Sequence, residues 1–473
     1  LKRLSEHTLA ELPKAVGRSC YDRRRLTTGV VHLGTGAFHR AHQAALFEAL
    51  AEQGDLRWGI QGASLRSGDV AAQMNPQDGL YSLTVRDGDL EQTRVIGVVK
   101  DVLVAPPDPA ALVAAMAEPA VHLVTLTVTE KGYLPAEGET PSHAVSAVGF
   151  IVAALAERRA RGLRPFTALS CDNLPRNGAR LEAATLDMAR RHDPGLADWI
   201  EEGGAFPETM VDRIVPATTP ADIDTLSASL GVRDAAMVKT EPFLQWVIED
   251  RFAGERPDFE SVGVQIAASV APWEAAKLRL LNGAHSAIAY LGGLAGIEFV
   301  HAFVADPERA GFIERLWEEA ASTLDPPQGL NIGVYQAALM ARFRNPALEH
   351  RTRQIAMDGS QKLPQRLLAS IAVRLERGQS FDSLGLAVAA WMRWQGGRDD
   401  RGRSFTIDDP LAGVMAKRIL GAHSPEERVS ALLGVREVFT PTLAANAQFR
   451  DVLVQSLRRL EQGGALGALR ARA

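Results

Sequence analysis

The chain has 473 residues, too many for a single hydrophobic core at roughly 100–200 residues per domain. With 46% hydrophobic and 23% charged residues, 41 Gly and 25 Pro, its composition excludes disordered and fibrous classes. A net charge of −5 over this length offers no footprint for nucleic acid or an anionic membrane, so the expected partner is a small molecule.

Only Cys20 and Cys171 are present, which argues against a disulfide framework or a cysteine-based zinc site and suits a reducing, cytoplasmic setting. Charged residues interrupt Leu1 to Arg25, leaving no apolar core of the roughly 7–15 residues a secretory signal needs. No run approaches the ~18 apolar residues of a membrane span.

In chain order, Val30-Val31-His32-Leu33 reads as a buried strand, followed by Gly34-Thr35-Gly36 and a helix predicted from Phe38 to about Leu50. Trp58-Gly59-Ile60 opens a second strand, Tyr81–Val85 and Val95–Val99 read as a pair, and Val121–Val128 is a strongly apolar strand. The run Ala105-Pro106-Pro107-Asp108-Pro109 reads as a loop and helix start. A helix over 144–161 and a strand at Phe166–Leu169 continue the alternation, which is how parallel-sheet α/β domains are written. Beyond Ser269 the pattern turns helical, at 272–294, 308–324, 334–344, 361–377 and 449–460. The expected organisation is an α/β chain with a Rossmann-type domain over 1–268 and a mainly α-helical domain over 269–473.

Glycines between a buried strand and a helix let backbone amides approach a pyrophosphate. Gly34 and Gly36 sit in that context, although the same turn can serve only to reverse the chain. The third glycine of the dinucleotide fingerprint is missing, and Asp69 is the nearest acidic candidate for a ribose hydroxyl, with Arg66 beside it. The expected cofactor set is Gly34, Gly36, Phe38, Arg40, Arg66, Asp69, Thr127 and Glu130. His32, His39 and His42 match no zinc spacing, so no metal is expected.

Five segments in order, Gly34-Thr35-Gly36-Ala37-Phe38-His39-Arg40-Ala41-His42, Thr129-Glu130-Lys131-Gly132-Tyr133, Ser170-Cys171-Asp172-Asn173, Met210-Val211-Asp212-Arg213-Ile214 and Lys277 to His285, resemble the mannitol dehydrogenase family of polyol-specific long-chain dehydrogenases. Within that family, Met357 to Arg366 is more similar to the fructuronate reductases, or D-mannonate oxidoreductases, than to the mannitol 2-dehydrogenases. The resemblance implies NAD(H), no metal, an active site between a Rossmann domain and a helical domain, and a sugar acid or polyol as substrate. A monomer or weak oligomer is expected. Gln354 stands where polyol-specific members carry an arginine.

Oxidising a secondary alcohol requires a group that accepts the hydroxyl proton near neutral pH, and a lysine does so only when burial or positive neighbours lower its pKa. Lys277 is the candidate base. At about 100° per residue, Asn282 lies about 140° and His285 about 80° from it, so the three share one broad helical face. Asn282 suits donation to the developing alkoxide, His285 the orientation of a substrate hydroxyl. By resemblance, Asn173 is a second donor and Glu274 gates proton exchange. Lys362 is the expected cation for a substrate carboxylate. Arg366, one turn on, either assists or lies on the solvated surface. Asp212 contacts substrate or pairs with Arg213.

Overall fold

The computed structural model describes residues 1–470, with the side chains of Glu130 and Lys131 left outside the description. The chain divides into two compact units, Leu1–Ala271 and Pro272–Ala473. No helix among the described residues is long and apolar enough to cross a membrane.

The first unit is built on five parallel strands, β1 (Thr28–Leu33), β2 (Gly59–Ser64), β3 (Val99–Val104), β4 (Leu123–Leu126) and β5 (Thr167–Ser170). Their spatial order is 3-2-1-4-5, the Rossmann arrangement, in which a ligand crevice opens at the carboxyl ends of the central strands. Side chains on both faces are buried. Val31, Leu33, Val124 and Leu126 join one core cluster with the helix Ala147–Ala160, while Val30, Ile60, Val102 and Leu169 join another with the helix Gln43–Glu52.

Two local expectations need revision. The helix predicted from Phe38 is broken at His42 (φ −113°, ψ −87°) into Ala37–Ala41 and Gln43–Glu52. The paired excursion is a hairpin of Tyr81–Asp87 with Leu90–Ile96, whereas Val99 begins the edge strand β3 of the main sheet. Alternation alone could not separate these neighbouring apolar runs. A further small sheet, with Gln245–Glu249 between Thr209–Asp212 and Gln265–Ala267, went unpredicted.

The second unit is helical. The apolar helices Gly283–Ala295 and Asp382–Trp394 pack together at its centre, buried along nearly their whole length. Two regular-helix expectations give way here to wider turns. Lys277–Asn282 and Pro364–Leu368 are π-helical, and the two segments pack against each other. In the first, the Gly283 N–H reaches back five residues to the Leu278 carbonyl. In the second, Pro364 removes a backbone donor and its ring needs room, which the wider turn supplies.

Candidate functional site

In the first unit, β1 runs into Gly34, which takes φ +90°, a left-handed conformation that disfavours any side chain. A Cβ there would come 2.3 Å from the Thr127 carbonyl oxygen. The turn is held by Gly34 N–H to Ala63 O (2.8 Å), Gly36 N–H to Gly34 O (2.6 Å) and the Thr127 hydroxyl to Gly34 O (2.8 Å). Beside it opens a cleft of about 490 Å³ lined by Gly34, Gly36, Ser64, Arg66, Thr127 and Thr129, among others.

Other members of the expected cofactor set stand elsewhere. Phe38 and Arg40 are not among the cleft's lining residues. The Arg40 guanidinium is buried, donating to the Ala236 carbonyl and lying 5.7 Å from the Tyr81 ring. Asp69 is exposed at the start of the helix Asp69–Met74, outside the lining, while Arg66 and Ser67 are part of it. The Glu130 side chain lies outside the described residues.

At the end of β5, Asp172 holds the far wall. Its carboxylate accepts the backbone N–H of Thr129 (2.9 Å) and Val128 (3.2 Å) and the Tyr133 hydroxyl (2.9 Å), and the Tyr133 hydroxyl also bonds the Ser170 hydroxyl. Burial raises the Asp172 carboxyl above the usual carboxylate range against these bonds. Thr129 itself has φ +67°, a backbone conformation that costs a threonine roughly 1–3 kcal/mol and persists only where the surroundings enforce it. Asn173 follows at the exposed edge. Asp212 is buried at the end of Thr209–Asp212, and the Arg213 guanidinium next to it donates to the Glu241 carbonyl (2.8 Å) and to the Ala41 carbonyl.

In the second unit Lys277 is 7% exposed and opens the π-helical turn that closes at Asn282. The expected rotation of about 100° per residue does not hold across this turn, because i to i+5 pairing brings residues five apart closer to register than an α-helix would. Widening also turns carbonyls outward. The Trp317 indole N–H donates to Leu280 O (2.9 Å), and the Arg366 guanidinium points toward Asn282 O (3.5 Å) and the Ser286 hydroxyl (3.3 Å). Glu274 lies three residues before Lys277, at the spacing that makes helical neighbours.

His285, 5% exposed, stands 4.8 Å from His350 edge to face and 4.9 Å from Phe343. Burial, then the charges of His350, Arg342 and Arg366, hold its imidazole well below the ordinary histidine range, so it is neutral. The two expected cations differ. Lys362 donates to the Met357 carbonyl (2.6 Å) and lies 3.8 Å from the Asp358 carboxylate. Arg366 is half-buried, not on the solvated surface, and has no carboxylate partner among the described residues; burial brings it down to about 10.

The family model of the mannitol dehydrogenase Rossmann domain matches residues 28–261, and that of the mannitol dehydrogenase C-terminal domain matches residues 269–461. The chain belongs to the mannitol dehydrogenase family. It is 42% identical to the D-mannonate oxidoreductase of Escherichia coli, over 97% of this chain and 98% of that one. The structure of Pseudomonas fluorescens mannitol 2-dehydrogenase, a ternary complex with NAD and D-mannitol, is 35% identical, with a TM-score of 0.82 over 99% of each chain. A substrate-free D-sorbitol dehydrogenase superposes with a TM-score of 0.92 at 30% identity, covering 98% of this chain and 100% of that one.

Among the residues of this mannitol dehydrogenase family oxidoreductase that sequence reasoning did not single out, Arg342 and His350 set the electrostatics of His285, and Tyr133 anchors Asp172. Arg342 lies in the last turn of the helix Ile332–Arg344 and His350 follows a short turn, so no local spacing links either to His285. Tyr133 and Asp172 each lie inside a motif that the family resemblance drew on. Their hydrogen bond joins the two motifs in space.

Proposed function

We propose that this oxidoreductase interconverts D-mannonate and D-fructuronate with NAD(H), in the cytoplasm, with Lys277 as the general base. The observation that carries the sugar-acid reading is Arg366, a half-buried guanidinium without a carboxylate partner among the described residues, directed at Asn282 and Ser286. A planar guanidinium matches a carboxylate bidentately, and a charged hydrogen bond of about 1.5–3 kcal/mol discriminates an acid from a polyol. Lys362, already engaged by Met357 and Asp358, is the lesser contributor. The 42% identity to a D-mannonate oxidoreductase supports the same reading, and two unbridged cysteines suit the compartment.

The fit of the cofactor rests on the turn: Gly34 lets the chain lie against Thr127, where a Cβ would come 2.3 Å from its carbonyl oxygen, and Gly36, where a Cβ would meet nothing closer than Gly34 O at 3.8 Å, leaves its backbone open to the cleft. Gly34 and Gly36 would hold the pyrophosphate side, with Thr127 lining the cleft beside them, and Arg66 or Asp69 the adenosine ribose. When bound, NAD+ supplies the hydride acceptor. Lys277 Nζ takes the hydroxyl proton, and Glu274 one turn earlier passes it to water. The Asn282 amide donates to the oxygen as negative charge develops, without itself titrating. His285, held neutral, orients a neighbouring hydroxyl and does not serve as an acid. Asn173, the second donor, and Asp212 face the substrate, as the family resemblance implies.

The second reading, a mannitol-type polyol 2-dehydrogenase, is favoured by 35% identity to the P. fluorescens enzyme across the whole chain. Initial rates with D-mannonate and D-mannitol, each with NAD+, separate the two. A preference for mannitol sinks the sugar-acid reading. Lys277→Ala tests the base: turnover should be abolished with NADH affinity within about twofold of the parent.

A further inference from the structure

Beneath the glycine turn runs a buried chain of hydrogen-bonded side chains. His32 sits on β1, fully buried, with Nδ1 2.7 Å from the Thr125 hydroxyl and Nε2 3.0 Å from the Thr127 hydroxyl, both on or just beyond β4. The Thr127 hydroxyl lies 2.8 Å from Gly34 O.

Chemistry fixes the direction of every bond in this chain. A backbone carbonyl only accepts, so the single Thr127 hydroxyl proton goes to Gly34 O. Thr127 Oγ1 can then only accept from His32, which makes Nε2 the protonated nitrogen. Burial holds the imidazole down to about 3, so the ring is neutral and Nδ1 is an acceptor. The Thr125 hydroxyl must therefore donate to it. The ring cannot rotate freely, because His39 stacks on it with centroids 3.4 Å apart and planes 14° from parallel. His39 belongs to Ala37–Ala41, which starts immediately after the turn, so the stack ties the strand before the turn to the helix after it.

We propose that His32 is a positioning residue for cofactor binding: through the one-way chain Thr125 to His32 to Thr127 to Gly34, it fixes the Gly34 carbonyl and with it the backbone that receives the dinucleotide. The chain explains the polar residue at a position in β1 where its neighbours Val30, Val31 and Leu33 are all buried hydrophobics. An apolar residue there would fill the space and leave Thr127 free to turn its proton elsewhere. Losing one hydrogen bond at the turn translates to roughly two- to twelvefold in affinity.

This inference rests on the reading of the cleft as an NAD(H) site, and the experiment separates the two. NADH affinity of the full chain is measured by fluorescence titration for the parent, Thr127→Val, Thr127→Ser, His32→Phe and the double variant Thr127→Val with His32→Phe. Thr127→Val should weaken NADH binding by up to about tenfold, and Thr127→Ser, which keeps the hydroxyl, should stay within about twofold. His32→Phe should weaken binding in the parent and add nothing in the Thr127→Val background, a coupling that a merely structural histidine would not produce. Should His32→Phe not fold, Thr125→Val takes its place in the same cycle, since it removes the donor to Nδ1 and frees the tautomer. Additive effects of the two substitutions, or parent-like affinity of Thr127→Val, overturn the relay. Failure of the parent to bind NADH overturns the cleft's assignment instead.

Discussion

Adding one methyl group at Gly34 is the sharpest perturbation available to the cofactor turn. Gly34→Ala forces an alanine to φ +90°, which costs about 1–3 kcal/mol. Its Cβ would also lie 2.3 Å from Thr127 O and 3.1 Å from the Thr127 carbonyl carbon, and that backbone is pinned by its own N–H to Leu33 O (3.0 Å) and by the hydroxyl bond to Gly34. Relieving the overlap loosens at least one of these bonds, adding roughly 0.5–1.5 kcal/mol. The total of about 2–4 kcal/mol corresponds to a melting shift of roughly 5–15 °C for a unit of this size. Gly36→Ala is the internal control. At φ −77° its Cβ meets nothing closer than Gly34 O at 3.8 Å, so its melting temperature should stay within about 1 °C of the parent. Thermal unfolding without cofactor, followed by tryptophan fluorescence, reads both. Equal melting temperatures for Gly34→Ala and the parent would refute the reasoning.

Removing the cation tests substrate choice. Arg366→Gln should raise KM for D-mannonate by about 10–100-fold while changing KM for D-mannitol by less than about threefold; equal losses on both substrates would mean the guanidinium only supports the fold. Acid sensitivity of the helical unit has a nameable source in His350, which burial, then Arg342, holds down to about 4. The unfolded chain takes up that proton near ~6.5 and the folded chain only near 4, so the stability present above pH 6.5 is lost as pH falls toward 4. His350→Gln should flatten urea-unfolding stability against pH by up to ~1.4 kcal/mol per pH unit across that window, and an unchanged slope counts against it. Asp69→Ala should shift the NAD over NADP preference of kcat/KM by about tenfold toward NADP if its carboxylate meets the ribose. No shift would assign the discrimination to Arg66 and its neighbours in the cleft.

How much of this was legible beforehand depended on whether the signal was local. A buried strand, a glycine pair and a helical period lie within a few residues of one another at Val30–Leu50, and the Rossmann character followed from them and from the alternation downstream. The helix Asp382–Trp394 is absent from the sequence expectations although its apolar positions recur at helical spacing. The π-helical turn at Lys277 was invisible for a physical reason. Periodicity assumes a fixed angle per residue, and no residue type within Lys277–Asn282 announces a change of pitch. Arg366 was ambiguous on spacing alone, since whether it meets solvent or Ser286 is decided by a helix far away in the chain.

The wide turn also bears on attempts to improve the protein. An α-helix is the lower-energy default, and a design procedure that regularises backbones would trim one residue between Lys277 and Gly283 to restore it. Such a variant would regain regular backbone pairing and lose the seat of the Trp317 indole on the Leu280 carbonyl. It would also swing Lys277 by about 100° relative to His285 and the helix that carries it. Inert offspring with a regular backbone would be the signature of that change, and any stabilisation campaign on this chain has reason to leave the irregular pitch untouched.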